Sequence, residues 1–206
     1  SEQFGLKMTE RICQTDNADT PVSVRVNTLK VTPEDAKTEL ERAGLTVEPH
    51  RAFADILLCT GGDAAATEAF REGRITVQDA ASALAAFVAD PKPGTTVLDC
   101  CAAPGGKSFA MAERMQGKGS LTSCDIYEHK LKRIREGAAR LGLPNIRTEL
   151  QDASAFRAEW AESADTVLCD VPCSGLGIIR KKPSDNDANS EDNHYLCLNS
   201  KTQICI

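Results

Sequence analysis

The sequence predicts an α/β protein in which a small α+β unit precedes an open parallel sheet. Beyond residue 94, short apolar segments alternate with helical ones, which is typical of a parallel sheet with crossover helices. The sequence Pro-Lys-Pro-Gly at 91–94 breaks the chain just before this pattern begins. Beyond residue 184 the chain is polar and lacks periodicity. We therefore expect a first domain over 1–90, a second over 91–184 and a disordered tail over 185–206.

The first segment combines short strands with helices. Residues 22–26 alternate apolar and polar side chains, as a half-buried strand does. A helix is predicted from Pro33, with Thr32 as its N-cap and Gly44 as its end. The further elements predicted are a strand over 56–59, a helix over 63–73, a strand over 75–77 and a helix over 79–88. The sequence of this segment contains no catalytic constellation.

The second segment alternates strands and helices. Strands are predicted over 95–100, 120–124, 145–150 and 166–169, and helices over 107–115 and 130–141. The second helix ends at Gly142, and its apolar residues share one face: Leu131, Ile134, Ala138 and Leu141. Because helices connect the first three strands, we expect parallel pairing.

The composition is that of a globular chain rather than of a membrane protein. The residues are 41% hydrophobic and 26% charged, and no stretch approaches the roughly 20 apolar residues of a membrane helix. The N-terminus has neither Met nor the features of a signal peptide, so we expect the chain to begin inside a longer protein. The nine cysteines lack zinc-like spacing. We interpret them as reduced thiols of a cytoplasmic protein and expect no metal site.

Charge leaves the question of a nucleic-acid partner open. The net charge of −6 argues mildly against such a partner, although half of it arises beyond Ser184. Arg180, Lys181 and Lys182 offer contacts to phosphates, but a solvated loop explains them at least as well.

The strongest local signal is the run Cys101-Ala102-Ala103-Pro104-Gly105-Gly106-Lys107, between a predicted strand and a predicted helix. Glycines there let the backbone approach a ligand, and the start of the helix offers free N–H groups. On composition alone, a tight turn is an equally good interpretation. The first glycine of a Walker phosphate loop would fall at Cys101, so a phosphate-binding loop is a weaker rival.

Acidic residues follow the successive strands of the second segment. Asp125 lies 19 residues after Gly106, near the offset of ~20 at which an acid meets ribose hydroxyls in nucleotide-binding βαβ units. Asp152 follows the third strand and Asp170 follows the fourth. Each alone is best interpreted as a cap or turn residue. Together they predict a ligand site, because open α/β sheets bind ligands at the carboxyl edge.

A second signal is the run Asp170-Val171-Pro172-Cys173-Ser174. A cysteine just past a strand and close to an acid is placed for nucleophilic or proton-transfer chemistry. As an isolated pattern, a buried thiol in a turn is the better interpretation.

The two runs together resemble the Nop2/Sun family of RNA (cytosine-5) methyltransferases, in particular the RsmB-type enzymes that act on bacterial 16S ribosomal RNA. Residues 25–29 (Arg-Val-Asn-Thr-Leu) and 77–79 (Val-Gln-Asp) also resemble that family's small RNA-recognition-like domain. The resemblance spans 21–184. It implies a Rossmann-like methyltransferase sheet, incomplete in this chain, behind an α+β RNA-recognition-like domain.

The resemblance also implies a cofactor, a partner and roles for individual residues. S-adenosylmethionine would be held by the run from Cys101 to Lys107, and RNA, of the ribosomal kind, would be the substrate. Asp125 would bind the ribose, Asp152 would lie near the adenine, and Asp170 would lie by the methionine end or the target base. Cys173 matches the cysteine that helps to release product. The analogous cysteine of DNA cytosine-5 methyltransferases attacks the base directly, so a nucleophilic role for Cys173 also stays open.

The chain departs from the family pattern after Ser184. The family nucleophile lies in a later Thr-Cys motif, and this sequence has none. Cys197 and Cys205 lie in a tail that does not resemble the family, and we assign that tail no structure. We therefore expect an inactive chain whose fourth strand has an exposed pairing edge. The rival interpretation is a non-catalytic module that binds the cofactor or RNA.

Overall fold

The computed structural model describes residues 21–171 and 202–205, which form two sheets within one compact unit. The first sheet contains β1 Val22–Val26, β2 Thr46–Pro49, β3 Ile56–Thr60 and β4 Ile75–Val77, accompanied by α1 Pro33–Arg42, a 3-10 turn at Ala64–Ala66 and α2 Glu68–Arg71. Its strands are antiparallel in the order β2-β3-β1-β4.

Local sequence explains the start and the packing of α1. The hydroxyl of Thr32 accepts a hydrogen bond from the backbone N–H of Asp35 at 3.2 Å, and Pro33 occupies the first turn, where no N–H is needed. Ala36 and Leu40 lie on the buried face of the helix. They pack into a core that also contains Val24, Val26, Leu45, Val47, Leu57, Cys59, Ala64, Ala69 and Ile75.

The second sheet is parallel. Its strands are β5 Thr96–Asp99, β6 Ser120–Asp125, β7 Ile146–Leu150, β8 Thr166–Cys169 and β9 Thr202–Cys205, and its helices are α3 Ala80–Ala89, α4 Gly106–Arg114 and α5 Glu128–Leu141, with a 3-10 turn at Ala158–Trp160. The strand order is β7-β6-β5-β8-β9. The order reverses between β5 and β8, which creates a switch point where open α/β sheets bind ligands.

The helices cover the parallel sheet as their patterns predict. The four apolar residues of α5 named above are all buried, and the helix ends at Gly142 in a left-handed conformation, with φ of 74°. They share one core with Val97, Met111, Leu121 and Leu168. The prediction of an α/β fold with a small α+β unit ahead of a Rossmann-like sheet is confirmed.

Two polar side chains at the end of β1 contact the helices that cover the second sheet. The Asn27 amide donates hydrogen bonds to the carbonyl oxygens of Gly73, at 3.0 Å, and Leu141, at 2.9 Å. Arg25 donates to the Gln78 side chain at 2.6 Å and forms an ion pair with Glu113 of α4. Arg25 and Asn27 are therefore buried, with contacts to the second sheet's helices, rather than exposed to solvent.

Three expectations about secondary structure are wrong in detail. β2 was not predicted, and the helix expected over 63–73 is a 3-10 turn followed by a short helix. The tail was expected to lack structure, yet residues 202–205 form β9. β9 pairs in parallel with β8, so the edge of β8 is covered rather than exposed. Backbone pairing to a neighbouring strand explains how so short an apolar segment becomes ordered.

Two expected absences concern the described residues alone. Within 21–171 and 202–205, no helix is both long and apolar enough to cross a membrane. The same residues contain no group of three or more His, Cys, Asp or Glu side chains placed to hold a metal ion.

Candidate functional site

The predicted glycine-rich run forms the loop from β5 to α4, at the switch point of the parallel sheet. The N–H of Ala102 donates to the Cys124 carbonyl of β6 at 2.8 Å, and the N–H of Cys100 donates to the Leu168 carbonyl of β8 at 2.9 Å. The start of the loop is therefore hydrogen-bonded to the strands on both sides of β5. These bonds hold the backbone close to the carboxyl edge of the sheet.

Gly105 and Gly106 are needed for close packing. Gly105 has φ of +108°, and a Cβ there would lie 2.5 Å from the ring of Phe109. Gly106 begins α4, and a Cβ there would lie 3.3 Å from the amide nitrogen of Gln78. α4 has no side-chain cap hydrogen bond at its start. Its first N–H groups are therefore suited to an anionic group such as a carboxylate.

Lys107 and Asp170 meet at this edge. Lys107 lies in the first turn of α4, Asp170 follows β8, and their side chains form an ion pair. The two side chains are 21% and 29% exposed, so both are accessible to a ligand in the loop. The tertiary structure thus brings Asp170, the first residue of the second sequence run, to Lys107, the last residue of the first run, 63 positions earlier.

Asp125 ends β6 on the other side of the loop. One oxygen of its carboxylate accepts a hydrogen bond from the N–H of Tyr127 at 3.1 Å and lies 3.7 Å from the Lys130 ammonium. The side chain is only 9% exposed. Its neighbour Ile126 is half exposed at the same strand end. Sequence reasoning missed Ile126, although an apolar residue directly after a strand-ending acid was a usable signal.

Asp152 lies beyond β7 and has a different environment. One oxygen of its carboxylate accepts hydrogen bonds from the N–H of Ser154 at 2.8 Å and from the Ser154 hydroxyl at 2.7 Å. These bonds hold the pKa of Asp152 below its ordinary value. The side chain is exposed and also lines a small pocket with Cys100, Cys124, Gln151, Ala153, Ala155, Arg157 and Trp160. This local pattern is that of a turn, and of the predicted acids Asp152 has the weakest structural support as a ligand residue.

The cysteines around the loop are neutral thiols. Burial raises the pKa of Cys101 to about 12, and burial likewise raises the pKa of Cys124 to about 12. A hydrogen bond with Cys169, together with burial, raises the pKa of Cys100. Since the thiolate is the nucleophilic form, none of these three is prepared for attack on a base. Cys173 lies outside the described residues, as do Arg180, Lys181 and Lys182.

A larger cleft lies at the opposite end of α4. It has a volume of about 580 Å³ and is lined by none of the predicted site residues. Arg25 and Glu113 lie in its wall and pair with each other. Each also has one side-chain atom without a hydrogen-bond partner among the described residues, but both side chains are almost fully buried and so present little surface to a ligand. The switch point is therefore the better candidate site.

Comparison with protein families gives two matches. Residues 86–205 match the family described as 16S rRNA methyltransferase RsmB/F. Residues 1–62 match the ferredoxin-like domain of RsmF/B-like methyltransferases. The first match continues past Ser184, where we expected the resemblance to end, so that expectation is wrong.

Individual relatives agree with the family matches. The chain is 40% identical over 184 residues to the probable ribosomal RNA small subunit methyltransferase B of Bacillus subtilis, covering 89% of this chain and 41% of that protein. It is 38% identical to ribosomal RNA small subunit methyltransferase B of Vibrio cholerae, covering 84% and 40%. The crystal structure of the protein PH0851 superimposes with a TM-score of 0.80 at 38% identity, covering 87% and 41%.

The chain thus spans about two fifths of the length of these relatives. The family match covers more than half of the chain, and it includes the loop, both neighbouring strands and the acids at their ends. This chain belongs to the RsmB/F family of 16S rRNA methyltransferases.

Proposed function

We propose that this chain binds S-adenosylmethionine at the switch point and contributes to methyl transfer to C5 of a cytosine in 16S ribosomal RNA. The observation that carries the proposal is the meeting of the glycine loop with Asp125 on one side and the Lys107–Asp170 pair on the other. Family membership supports the cofactor and the kind of RNA.

The residues at the switch point fit this cofactor better than a nucleoside triphosphate. Gly105 and Gly106 let the loop backbone pack closely against Phe109 and Gln78, which a Cβ at either position would crowd. The uncapped start of α4 and Lys107 suit the carboxylate of an amino-acid end. Asp125 suits the ribose hydroxyls, and the exposed Ile126 offers an apolar contact for the adenine. When bound, S-adenosylmethionine supplies an electrophilic methyl group on its sulfonium.

The target base requires further chemistry. Cytosine C5 is a poor nucleophile until a thiolate adds to C6, and the C5 proton must leave after transfer. We propose that Asp170, which is partly exposed at the loop, hydrogen-bonds the cytosine ring and favours that adduct. Cys173 follows Asp170 by three positions, and we propose the product-release role for it.

A second candidate function is cofactor binding without turnover. The observation that favours it is that the described thiols around the loop are neutral and that the 206 residues contain no Thr-Cys motif. We therefore expect the purified chain to bind cofactor and to transfer no methyl group to RNA.

Calorimetric titration with S-adenosylhomocysteine tests the binding step. We expect saturable one-to-one binding by the wild-type chain and at least a tenfold loss for Asp125→Ala. ATP should not bind, and saturable ATP binding would favour the phosphate-loop alternative instead. Glu136→Ala is the control, because this exposed residue lies on α5 and pairs only weakly, with its carboxylate 3.9 Å from Lys132.

A methylation assay tests the second step. The chain is incubated with 16S ribosomal RNA and methyl-labelled S-adenosylmethionine, and labelled 5-methylcytosine is quantified after digestion. Binding without labelled product supports the non-catalytic interpretation of this chain. Labelled product that depends on Cys173 or Asp170 would show that the chain is itself catalytic.

A further inference from the structure

Beneath the glycine loop lies a polar cluster with no assigned role. Asp99, the last residue of β5, has no exposed surface, and neither do Ser108 of α4 and Ser123 of β6. The Ser108 hydroxyl donates to the Asp99 carboxylate at 2.7 Å. The Ser123 hydroxyl donates to the Ser108 oxygen at 2.8 Å. The three side chains thus form one directional series of hydrogen bonds, called the hydroxyl chain below, that joins two strands to the first turn of α4.

This arrangement is costly if its only function is packing. A fully buried carboxylate loses its hydration, and one oxygen of Asp99 has no hydrogen-bond partner among the described residues. Burial raises the pKa of Asp99 to about 6, with the Ser108 hydrogen bond acting in the opposite direction. Three apolar side chains would fill the same volume without that cost, so packing alone does not account for these polar residues.

The position of the hydroxyl chain in the fold indicates its role. Ser108 is the third residue of α4 and directly follows Lys107. A hydroxyl held between a donor and an acceptor has a single orientation, and hydrogen bonds in series strengthen one another. Fixing Ser108 therefore fixes the first turn of α4, which carries the Lys107 ammonium and the uncapped N–H groups.

We propose that Asp99, Ser108 and Ser123 are positioning residues that hold the first turn of α4 in register with the amino-acid end of the cofactor. The inference rests on the proposed cofactor site and adds a division of labour within it. The hydroxyl chain serves the amino-acid end. The nucleoside end depends on Asp125, which is held separately by the N–H of Tyr127 and by Lys130.

Two ligands distinguish the amino-acid end of the site from its nucleoside end. S-adenosylhomocysteine carries both the nucleoside and the amino-acid end, whereas 5′-methylthioadenosine carries the nucleoside alone. For Ser108→Ala we expect the Kd for S-adenosylhomocysteine to rise about tenfold, the worth of one buried hydrogen bond, and the Kd for 5′-methylthioadenosine to change less than twofold. Calorimetric titration with both ligands gives two dissociation constants for the wild-type chain and two for each variant.

Two further variants complete the design. Ser123→Ala removes only the outer hydrogen bond, so we expect about a threefold effect in the same direction, and this variant tests the proposal even if Ser108→Ala fails to fold. Ser163→Ala is the matched control, since its hydroxyl donates at 2.8 Å to the Trp160 carbonyl, outside the hydroxyl chain, and should change neither constant.

The outcomes are distinguishable. Equal losses for both ligands, or a loss for neither, would overturn the positioning role while leaving the cofactor site intact. Failure of the wild-type chain to bind S-adenosylhomocysteine would overturn the proposed function and this inference with it. A selective loss for S-adenosylhomocysteine supports both.

Discussion

The two termini of α4 each carry an ion pair, but the two pairs have different roles. At its C-terminal end, Glu113 is paired with Arg25 of the first sheet, and both side chains are almost fully buried. At its start, Lys107 is paired with Asp170, and both remain partly exposed beside a loop without side chains at Gly105 and Gly106. The first pair joins two sheets, whereas the second lies where a ligand can reach it. Accessibility, rather than the presence of charge, separates the structural pair from the candidate functional one.

The largest expected loss of stability follows from breaking the buried pair of Arg25 and Glu113. Glu113→Ala leaves Arg25 buried without its counter-charge, so we expect the free energy of unfolding to fall by about 3–5 kcal/mol. Urea denaturation measures it, with Glu136→Ala as the control, because that glutamate is 64% exposed and its pair is worth under about 1 kcal/mol. A loss below about 1 kcal/mol for Glu113→Ala would show that the buried pair does not hold the sheets together.

The next effect concerns pH and Asp99. Its folded pKa of about 6 lies above the ordinary value of 3.8, so its contribution to stability is complete below pH 3.8 and is lost as pH rises through 6. This pH-dependent contribution of Asp99 to the free energy of unfolding is about 3 kcal/mol. Asp99→Asn removes this titration. We expect the stability difference between variant and wild type to favour the variant more at pH 7.5 than at pH 4.5, and a difference independent of pH would contradict the assignment.

A smaller loss of stability is expected from crowding at Gly105. Gly105→Ala combines a left-handed backbone with a Cβ 2.5 Å from Phe109, so we expect a loss of about 2–3 kcal/mol in the free energy of unfolding. Gly94→Ala is the matched control, since Gly94 has φ of +90° but nothing within 4 Å of its Cβ position. It should lose about 1 kcal/mol from the backbone alone. Equal losses would mean that Phe109 moves aside freely.

The smallest effect on stability is expected at the accessible pair. Lys107→Met should change the free energy of unfolding by less than about 1 kcal/mol, because the ion pair is partly solvated. The Kd for S-adenosylhomocysteine should nevertheless rise about tenfold, the loss of one charge-assisted contact. Paired calorimetry and thermal unfolding measure both. A large loss of stability with unchanged affinity would reverse the comparison between the two ends of α4.

Much of the fold could be predicted because its signals are local. The apolar face of α5, its Gly142 end and the Thr32 cap of α1 each lie within a few residues of the element that they define. The loop, the acid that ends β6 and the acid that follows β8 were found in the same way, because each lies at a strand end. β9 was missed because four residues carry too little pattern to distinguish a strand from an irregular tail, and its order comes from pairing with β8.

What the sequence by itself determined is the alternation of elements, the glycine loop, the strand-ending acids and the family resemblance. Only the tertiary structure decided that Arg25 turns inward, since its partner Glu113 lies 88 positions away. Only the strand order brings Asp170 to Lys107 and keeps Asp125 on the other side of the loop. The neutral state of the loop cysteines also depends on burial. Periodicity and turn chemistry act over a few residues, whereas pairing, desolvation and strand order depend on which distant segments pack together.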